Sequence, residues 1–310
     1  MHEAMISLRK AIPYIRLYKG KTFVVKFGGK LLEKRERLNA LAEDVTLLHQ
    51  LGIRIVLVHG GGDQATVLSK RLGIEPKIIA GRRVTCESTL DVVKMVYGGT
   101  LNIEILSALR AHQTKAVGIS GVDGGLITAC KRPVTMVSPE PGQRPIPVDF
   151  GYVGDIQSVN GKFLEHLLNG DCVPVVSSLA ATDDGTVLNV NADTIAEALA
   201  RSLGAEKLLY LSDTDGIMRD VGDPTSIVSY TDIEGVAKLK SEGCISGGML
   251  PKVDACVRAL KGGVRRTHIL NGMKSGALLY EAFTNAGCGT MIVSEVERAS
   301  YQQAELGKSA

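Results

Sequence analysis

Residues suited to handling phosphate stand in this chain beside glycines at the ends of apolar runs. Lys26-Phe27-Gly28-Gly29 follows Phe23-Val24-Val25, and His59-Gly60-Gly61-Gly62 follows Ile53–Val58. Glycine turns placed there leave several backbone N–H groups free and close together, as a phosphate or carboxylate requires. Either cluster alone reads equally well as a tight turn. Both at the carboxyl ends of neighbouring strands point to a ligand, because open α/β sheets bind ligands there. Downstream, Ile245-Ser246-Gly247-Gly248-Met249-Leu250-Pro251-Lys252 again sets glycines beside a lysine.

Other segments add polar groups. Gly81-Arg82-Arg83-Val84-Thr85 puts a guanidinium after a turn, where it either grips a carboxylate through two parallel hydrogen bonds or lies on the surface. Leu188-Asn189-Val190-Asn191-Ala192-Asp193 opens a helix with three short polar side chains. Capping accounts for one or two of them. Leu211-Ser212-Asp213-Thr214-Asp215-Gly216 follows a strand and by itself is only a turn. Two nucleotide signatures fail on context. Gly20-Lys21-Thr22 has Ile15 where a P-loop needs glycine and precedes its strand, and Asp149-Phe150-Gly151 has no H-R-D catalytic loop or G-x-G-x-x-G loop with it.

The elements that must position these residues alternate. Val- and Ile-rich runs predict strands at Thr22–Lys26, Ile53–Val58, Ala116–Ile119, Val173–Val176, Leu208–Leu211 and Arg266–Leu270. Between them, Arg35–Gln50, Asp63–Arg71, Ser88–Ala111 and Ala192–Leu203 have helical spacing. Such alternation marks a buried parallel sheet with helices on both faces. The stretch Ile127–Asn160 breaks the rhythm with Pro133, Pro139, Pro141, Pro145 and Pro147 and predicts a β-hairpin or lid-like excursion. A boundary falls near Gly204, with two lobes sharing one sheet.

At 310 residues the chain has ample core for one large or two modest lobes. A hydrophobic share of 45% with 22% charged residues excludes a disordered or fibrous protein. The net charge of +3 is dispersed and gives no footprint for nucleic acid or membrane. Cys86, Cys130, Cys172, Cys244, Cys256 and Cys288 show no C-x-x-C spacing, so zinc is not expected and the thiols read as reduced. No secretory leader pattern or apolar run of ~18 residues is visible, and the expected location is the cytoplasm.

In order and spacing, KTFVVKFGG, VHGGG, GRRVT, AVGISGVDGGLI, VDFGYVGDI, VLNVNADTIAEALA, LLYLSDTDGI and ISGGMLPKV resemble the amino-acid kinase superfamily, and within it the N-acetylglutamate kinases. The resemblance covers nearly the whole chain. It implies an α/β fold, a three-layer αβα sandwich with a mainly parallel open central sheet and two lobes. It places an N-terminal helix for oligomerisation and regulation at 1–20, a lobe for the acyl amino acid and dimerisation at 21–204, and an ATP lobe at 205–310. The implied activity is ATP-dependent phosphorylation of the γ-carboxylate of N-acetyl-L-glutamate, towards arginine. Lys26 and Lys252 match the phosphate-stabilising lysines and Asp193 the organising aspartate. Gly28, Gly29, Gly61, Gly62, Arg83, Asn189 and Asn191 match the substrate site. Asp213, Thr214, Asp215, Gly216, Ile217, Met218, Ile245 and Ser246 match the nucleotide site.

The implied chemistry suits those residue types. A carboxylate is already ionised at pH 7, so no general base is needed and none of the six histidines requires a catalytic role. The obstacle is an anion approaching a triphosphate, and positioning and positive charge overcome it. Lys26 and Lys252 bracket the phosphoryl group, Asp193 holds both ammonium groups, and magnesium is held mainly by ATP phosphates and water.

Met5, Leu8, Ile12 and Ile15 recur at helical spacing within Glu3–Tyr18. Such a stripe either docks on its own lobe or interlaces subunits. Arginine-inhibited hexameric members of the family have a similar helix, and the chain also resembles them at Tyr14, His268, Glu281 and Gly287. The expectation is therefore a hexamer inhibited by L-arginine. Departures from the commoner pattern are Lys30 after the glycine pair, Val122 and Ile103, the first two expected near the acyl group. Open alternatives are a kinase for N-succinylglutamate or carrier-linked aminoadipate, a carbamate, aspartate or uridylate kinase, and a non-catalytic arginine sensor.

Overall fold

A computed structural model describes residues 2–139, 143–220, 222–284, 287–295 and 297–298. The chain begins with α1 (His2–Tyr18), β1 (Thr22–Phe27), α2 (Arg35–Gln50), β2 (Arg54–His59) and α3 (Gly62–Arg71). A short hairpin, β3 (Ile78–Ile79) and β4 (Arg82–Arg83), leads to α4 (Glu87–Val93), a π-helical stretch (Lys94–Leu101) and α5 (Asn102–Ala111). Then come β5 (Ala116–Ser120), β6 (Ile127–Lys131), β7 (Thr135–Val137), β8 (Ile146–Val148), β9 (Gly154–Val159) and α6 (Gly161–Asn169). β10 (Val173–Ser177), β11 (Leu179–Ala181), β12 (Val187–Asn189) and α7 (Ala192–Ser202) follow. The last part contains β13 (Lys207–Ser212), β14 (Tyr230–Asp232), α8 (Ile233–Ser241), α9 (Met249–Lys261), β15 (Arg266–Asn271), α10 (Ala277–Phe283) and β16 (Gly289–Val293).

The main sheet has eight strands in the order β14-β16-β15-β13-β1-β2-β10-β5. It is parallel from β15 through β5, while β16 runs antiparallel to β15. Every run predicted as a strand is one of these parallel members. Their residues alternate between two cores, as a strand buried on both faces must. Val24, Val56, Leu208 and Ile269 face α6, α7, α8 and α9. Phe23, Val25, Ile55, Leu57 and Leu209 face α2, α4, α5 and α10. The expected αβα sandwich is present, and the one sheet runs through both halves of the chain.

The proline-rich stretch forms β6 and β9, antiparallel members of a second, four-stranded sheet, with the β7–β8 hairpin between them. One predicted helix differs: Ser88–Ala111 widens to π geometry over Lys94–Leu101. The wide turns fit the spacing of the buried side chains. Val93, Tyr97, Leu101, Ile105 and Leu109 are all buried, at steps of four. In an α-helix such steps drift by about 40° per turn, and wider turns absorb the drift. By length and composition Glu87–Ala111 also suits a membrane span, but its apolar face lies in the core.

The N-terminal helix packs against α10 and buries Tyr18. Of the predicted stripe, Ile12 is exposed and Ile15 half-buried, whereas the side chains of Met5 and Leu8 lie outside the described residues.

Candidate active site

Three ionised side chains meet at the carboxyl end of the sheet. Lys26 is the penultimate residue of β1, in register with Tyr210 of β13. Asp193 lies in the first turn of α7, and Lys252 in the first turn of α9. Lys26 Nζ is 2.6 Å from Asp193 Oδ1, and Lys252 Nζ is 3.5 Å from Asp193 Oδ2. Residues distant in sequence thus share one buried carboxylate.

Local chemistry fixes that carboxylate. Asn191 caps α7, its Oδ1 accepting from the N–H groups of Asp193 at 2.7 Å and Thr194 at 3.2 Å. Tyr210 donates its hydroxyl to the Asp193 carbonyl at 3.0 Å, and the Lys252 ammonium lies 5.9 Å from the Tyr210 ring centroid. Burial pushes the Asp193 carboxyl up, but the ammonium groups of Lys26 and Lys252 outweigh it and hold the group below its ordinary value. Burial draws the Lys26 ammonium down; Asp193 opposes this and the Lys252 charge adds to it. Two ammonium groups on one carboxylate leave a positive charge uncompensated within the trio, which favours an anionic ligand.

A cavity of about 510 Å³ opens over the trio. Lys26, Lys252, Gly28 and Gly29 line it, together with Asp213, Thr214, Gly216, Ile217, Met218 and Ser246. A Cβ on Gly28 would meet nothing nearer than Lys26 Nζ at 4.0 Å, so its surface faces open space. The Ile217 N–H donates to Thr290 Oγ1 at 2.8 Å, and Gly216 sits at φ +138°, with Thr290 Oγ1 2.5 Å from where a Cβ would stand. That close approach excludes a side chain at Gly216.

Two expected nucleotide residues do not line the cavity. Ile245 is buried in the core, and Asp215 is held by Lys274 at 2.5 Å and Asn271 at 2.8 Å. The expected acyl-site residues other than Gly28 and Gly29 also lie outside its lining. Gly61 abuts Tyr97 and Leu101, where a Cβ would come within 2.9 Å and 2.3 Å. Arg83 donates through Nη2 to the Gly62 carbonyl at 2.8 Å and Thr66 Oγ1 at 2.6 Å. Its Nη1 is buried with no hydrogen-bond partner among the described residues. Asn189 donates to Thr85 Oγ1 at 3.2 Å, tying β12 to the Arg83 segment. His59 is buried and its ring stays neutral, burial lowering its pKa to about 4. Asn102 donates to it at 3.2 Å and to the Val175 carbonyl at 3.0 Å, bracing the glycine turn.

Lys30, expected near the acyl group, lines the cavity beside Gly28 and Gly29 and pairs with Asp213. Val122 and Ile103 are exposed. Asp63, in the first turn of α3, also lines the cavity and was not singled out in the sequence. Its signal was an acid directly after a glycine run.

A second charged cluster sits toward the amino end of the same sheet, on β13, β15 and α10. His268 Nδ1 donates to Glu281 Oε1 at 2.7 Å, Glu281 Oε2 accepts from the Cys288 N–H at 2.8 Å, and Lys207 donates to the Glu281 carbonyl at 3.3 Å. Lys207, which no sequence motif marked, also lies 4.7 Å from the Tyr18 ring centroid and 5.6 Å from that of Phe23. Burial lowers the His268 pKa to about 4, and its Nε2 is buried with no partner among the described residues. Tyr14 packs nearby against the core, and Gly287 at φ +61° places its backbone against Glu281.

The profile of the amino acid kinase family matches residues 21–271. An acetylglutamate kinase of Myxococcus xanthus is 45% identical over 289 residues, 93% of this chain and 94% of that one. Among solved structures, an N-acetylglutamate synthase from Neisseria gonorrhoeae complexed with coenzyme A and N-acetyl-glutamate superposes with a TM-score of 0.80 at 33% identity. This chain is covered to 94% by that match but spans only 63% of the synthase. The same synthase complexed with coenzyme A and L-arginine gives a TM-score of 0.77 at 30% identity, covering 93% of this chain and 65% of that one. By profile, by identity over nearly its full length and by fold, the chain belongs to the amino acid kinase family, within its acetylglutamate kinase branch.

Proposed function

We propose that the chain catalyses ATP-dependent phosphorylation of the γ-carboxylate of N-acetyl-L-glutamate, giving N-acetyl-L-glutamyl 5-phosphate for arginine biosynthesis. The observation that carries this reading is the Asp193 carboxylate held between Lys26 and Lys252 beneath the cavity. The nucleophile arrives ionised, so the protein's task is to offset charge repulsion and align the reactants. Lys26 and Lys252 stabilise the equatorial oxygens of the phosphoryl group in flight, and Asp193 keeps both ammonium groups in position. Gly28 and Gly29 let the backbone approach the phosphates.

In this reading residues 205–310 bind ATP through Asp213 to Met218 and Ser246, while residues 21–204 bind the acyl amino acid. Gly61, Gly62, Arg83, Asn189 and Asn191 belong to that second task, and the unpartnered Nη1 of Arg83 supports it, since a substrate carboxylate would satisfy it. Magnesium neutralises phosphate charge when bound with ATP. Asp193 is already engaged by two lysines, and among the described residues no group of three or more His, Cys, Asp and Glu is arranged to hold a metal. This supports an ion carried chiefly by the phosphates, with at most one or two protein carboxylates, as Mg²⁺ commonly is.

The same reading makes the enzyme cytoplasmic and a hexamer of interlaced dimers, with L-arginine as feedback inhibitor. Support for arginine comes from the orphan acceptor His268 Nε2 beside Glu281, which a guanidinium N–H would satisfy. Support for interlacing comes from Ile12 and Leu17, which α1 leaves exposed.

The test is ADP release with ATP and N-acetylglutamate, set against N-succinylglutamate and repeated with millimolar arginine. Turnover with N-acetylglutamate at least tenfold above the succinyl analogue is expected, with inhibition by arginine. Turnover with neither acid would refute the kinase; unaltered turnover with arginine, together with a dimer by light scattering, would refute only the regulatory part.

A further inference from the structure

The cavity has a third lysine, held unlike the other two. Lys30 stands in the 3-10 turn Gly29–Glu33 after β1, and its Nζ lies 2.5 Å from Asp213 Oδ2 on the turn after β13. Since β1 and β13 are neighbours in the sheet and both residues line the cavity, the pair joins its two walls. The Lys30 and Asp213 side chains are 61% and 44% exposed, against 11% for Lys26 and Asp193 and 14% for Lys252.

That contrast decides what each pair can do. A buried pair is costly to break, because either charge left alone has lost its water. An exposed pair keeps most of its hydration, is screened by salt and breaks easily. A polyphosphate brings several charges on clustered oxygens and outcompetes a single carboxylate for an exposed ammonium. Asp213 shares this electrostatic neighbourhood. The hydrogen bond from Lys30 holds its carboxyl below the usual range, and the Lys252 charge adds to the effect.

We propose that Lys30 is a phosphate-binding residue of the nucleotide site. Its ammonium leaves Asp213 for the polyphosphate of the incoming nucleotide and adds a positive charge above the Lys26–Asp193–Lys252 floor. The released Asp213 carboxylate is then open to hydroxyl groups of the ribose, as acidic residues beyond strand ends are in other nucleotide sites. The assignment rests on the cavity being the ATP site proposed above.

Titration calorimetry on the full chain with ATP and with AMP separates a phosphate contact from a merely structural ion pair. Lys30→Met should weaken ATP roughly tenfold or more, the worth of a hydrogen bond to a charged group, and leave AMP within about threefold. Lys30→Arg, which keeps the charge, should hold ATP within about threefold of wild type. Lys30→Gln serves in the same way should Lys30→Met fold poorly. Equal weakening of ATP and AMP, or no weakening of ATP, overturns the assignment while leaving the nucleotide site intact. A wild-type protein that binds no ATP overturns both.

Discussion

Two buried lysine–carboxylate clusters occupy opposite ends of the same sheet, and their charges are balanced differently. At the carboxyl ends, Asp193 is divided between Lys26 and Lys252, so positive charge is left over beneath an open cavity. At the amino ends, Glu281 is satisfied by His268 and the Cys288 amide, and Lys207 sits over two aromatic rings. What remains open there is a neutral acceptor, His268 Nε2. The types of residue are nearly the same. The stoichiometry decides the outcome: two cations on one anion attract an anion, whereas a balanced set with a bare ring nitrogen suits a donor.

Swapping one lysine at a time tests the contrast most severely. Lys26→Ala or Lys252→Ala should lower kcat about 100-fold or more, comparable to losing one preorganised oxyanion donor. Lys207→Met, in an assay without arginine, should leave kcat within about threefold. Steady-state kinetics that ranked Lys207 with the other two would erase the division between the ends.

A smaller effect is expected from acid. The folded His268 pKa of about 4 lies below the ordinary 6.5, because burial disfavours the cation and Lys207 repels it. The unfolded chain therefore takes up the proton first as pH falls. The stability from neutral His268 is complete above about pH 6.5 and is lost as pH falls towards 4. Urea titrations across that window should show the unfolding constant of wild type rising by up to about tenfold per pH unit relative to His268→Gln. Asp44, whose carboxyl burial raises to about 6, titrates there with the opposite sign in both proteins and cancels in the comparison. Parallel curves would mean that His268 is protonated in the fold.

The smallest effects should come from paired glycine substitutions. Gly287→Ala forces an L-residue into φ +61° and sets a Cβ 3.1 Å from Glu281 Oε2, which should cost about 1–2 kcal/mol of stability with kcat unaffected. Gly28→Ala has backbone angles that alanine accepts and space around its Cβ, so the melting temperature should hold while ATP affinity falls. The reverse pattern would exchange the roles of the two ends.

Much of the frame was legible because buried parallel strands print themselves as unbroken Val and Ile runs, such as Phe23-Val24-Val25 and Ile53–Val58. The glycine turns were legible for a related reason, since few residues other than glycine allow such close backbone approach. What stayed hidden depended on distance. Lys30 and Asp213 are 183 positions apart, and nothing local to either announces the pair. Lys207 reads as an ordinary charge opening a strand, and only the packing of Tyr18 and Phe23 around it reveals its burial. The antiparallel turn of β16 was likewise invisible, because strand composition carries no direction.

The π-helical stretch has a consequence for how this protein can vary. Val93, Tyr97, Leu101, Ile105 and Leu109 point inward only while the wide turns hold the two ends of that rod in phase, like the offset scales of a vernier. Adding a residue there, or tightening the same residues to ordinary pitch, would swing one half of the rod by about 100°, trading Asn102 or Ile105 for a solvent-facing neighbour. Its length is thereby tied to its pitch, and changing one without the other is a heavier alteration than exchanging any of its side chains.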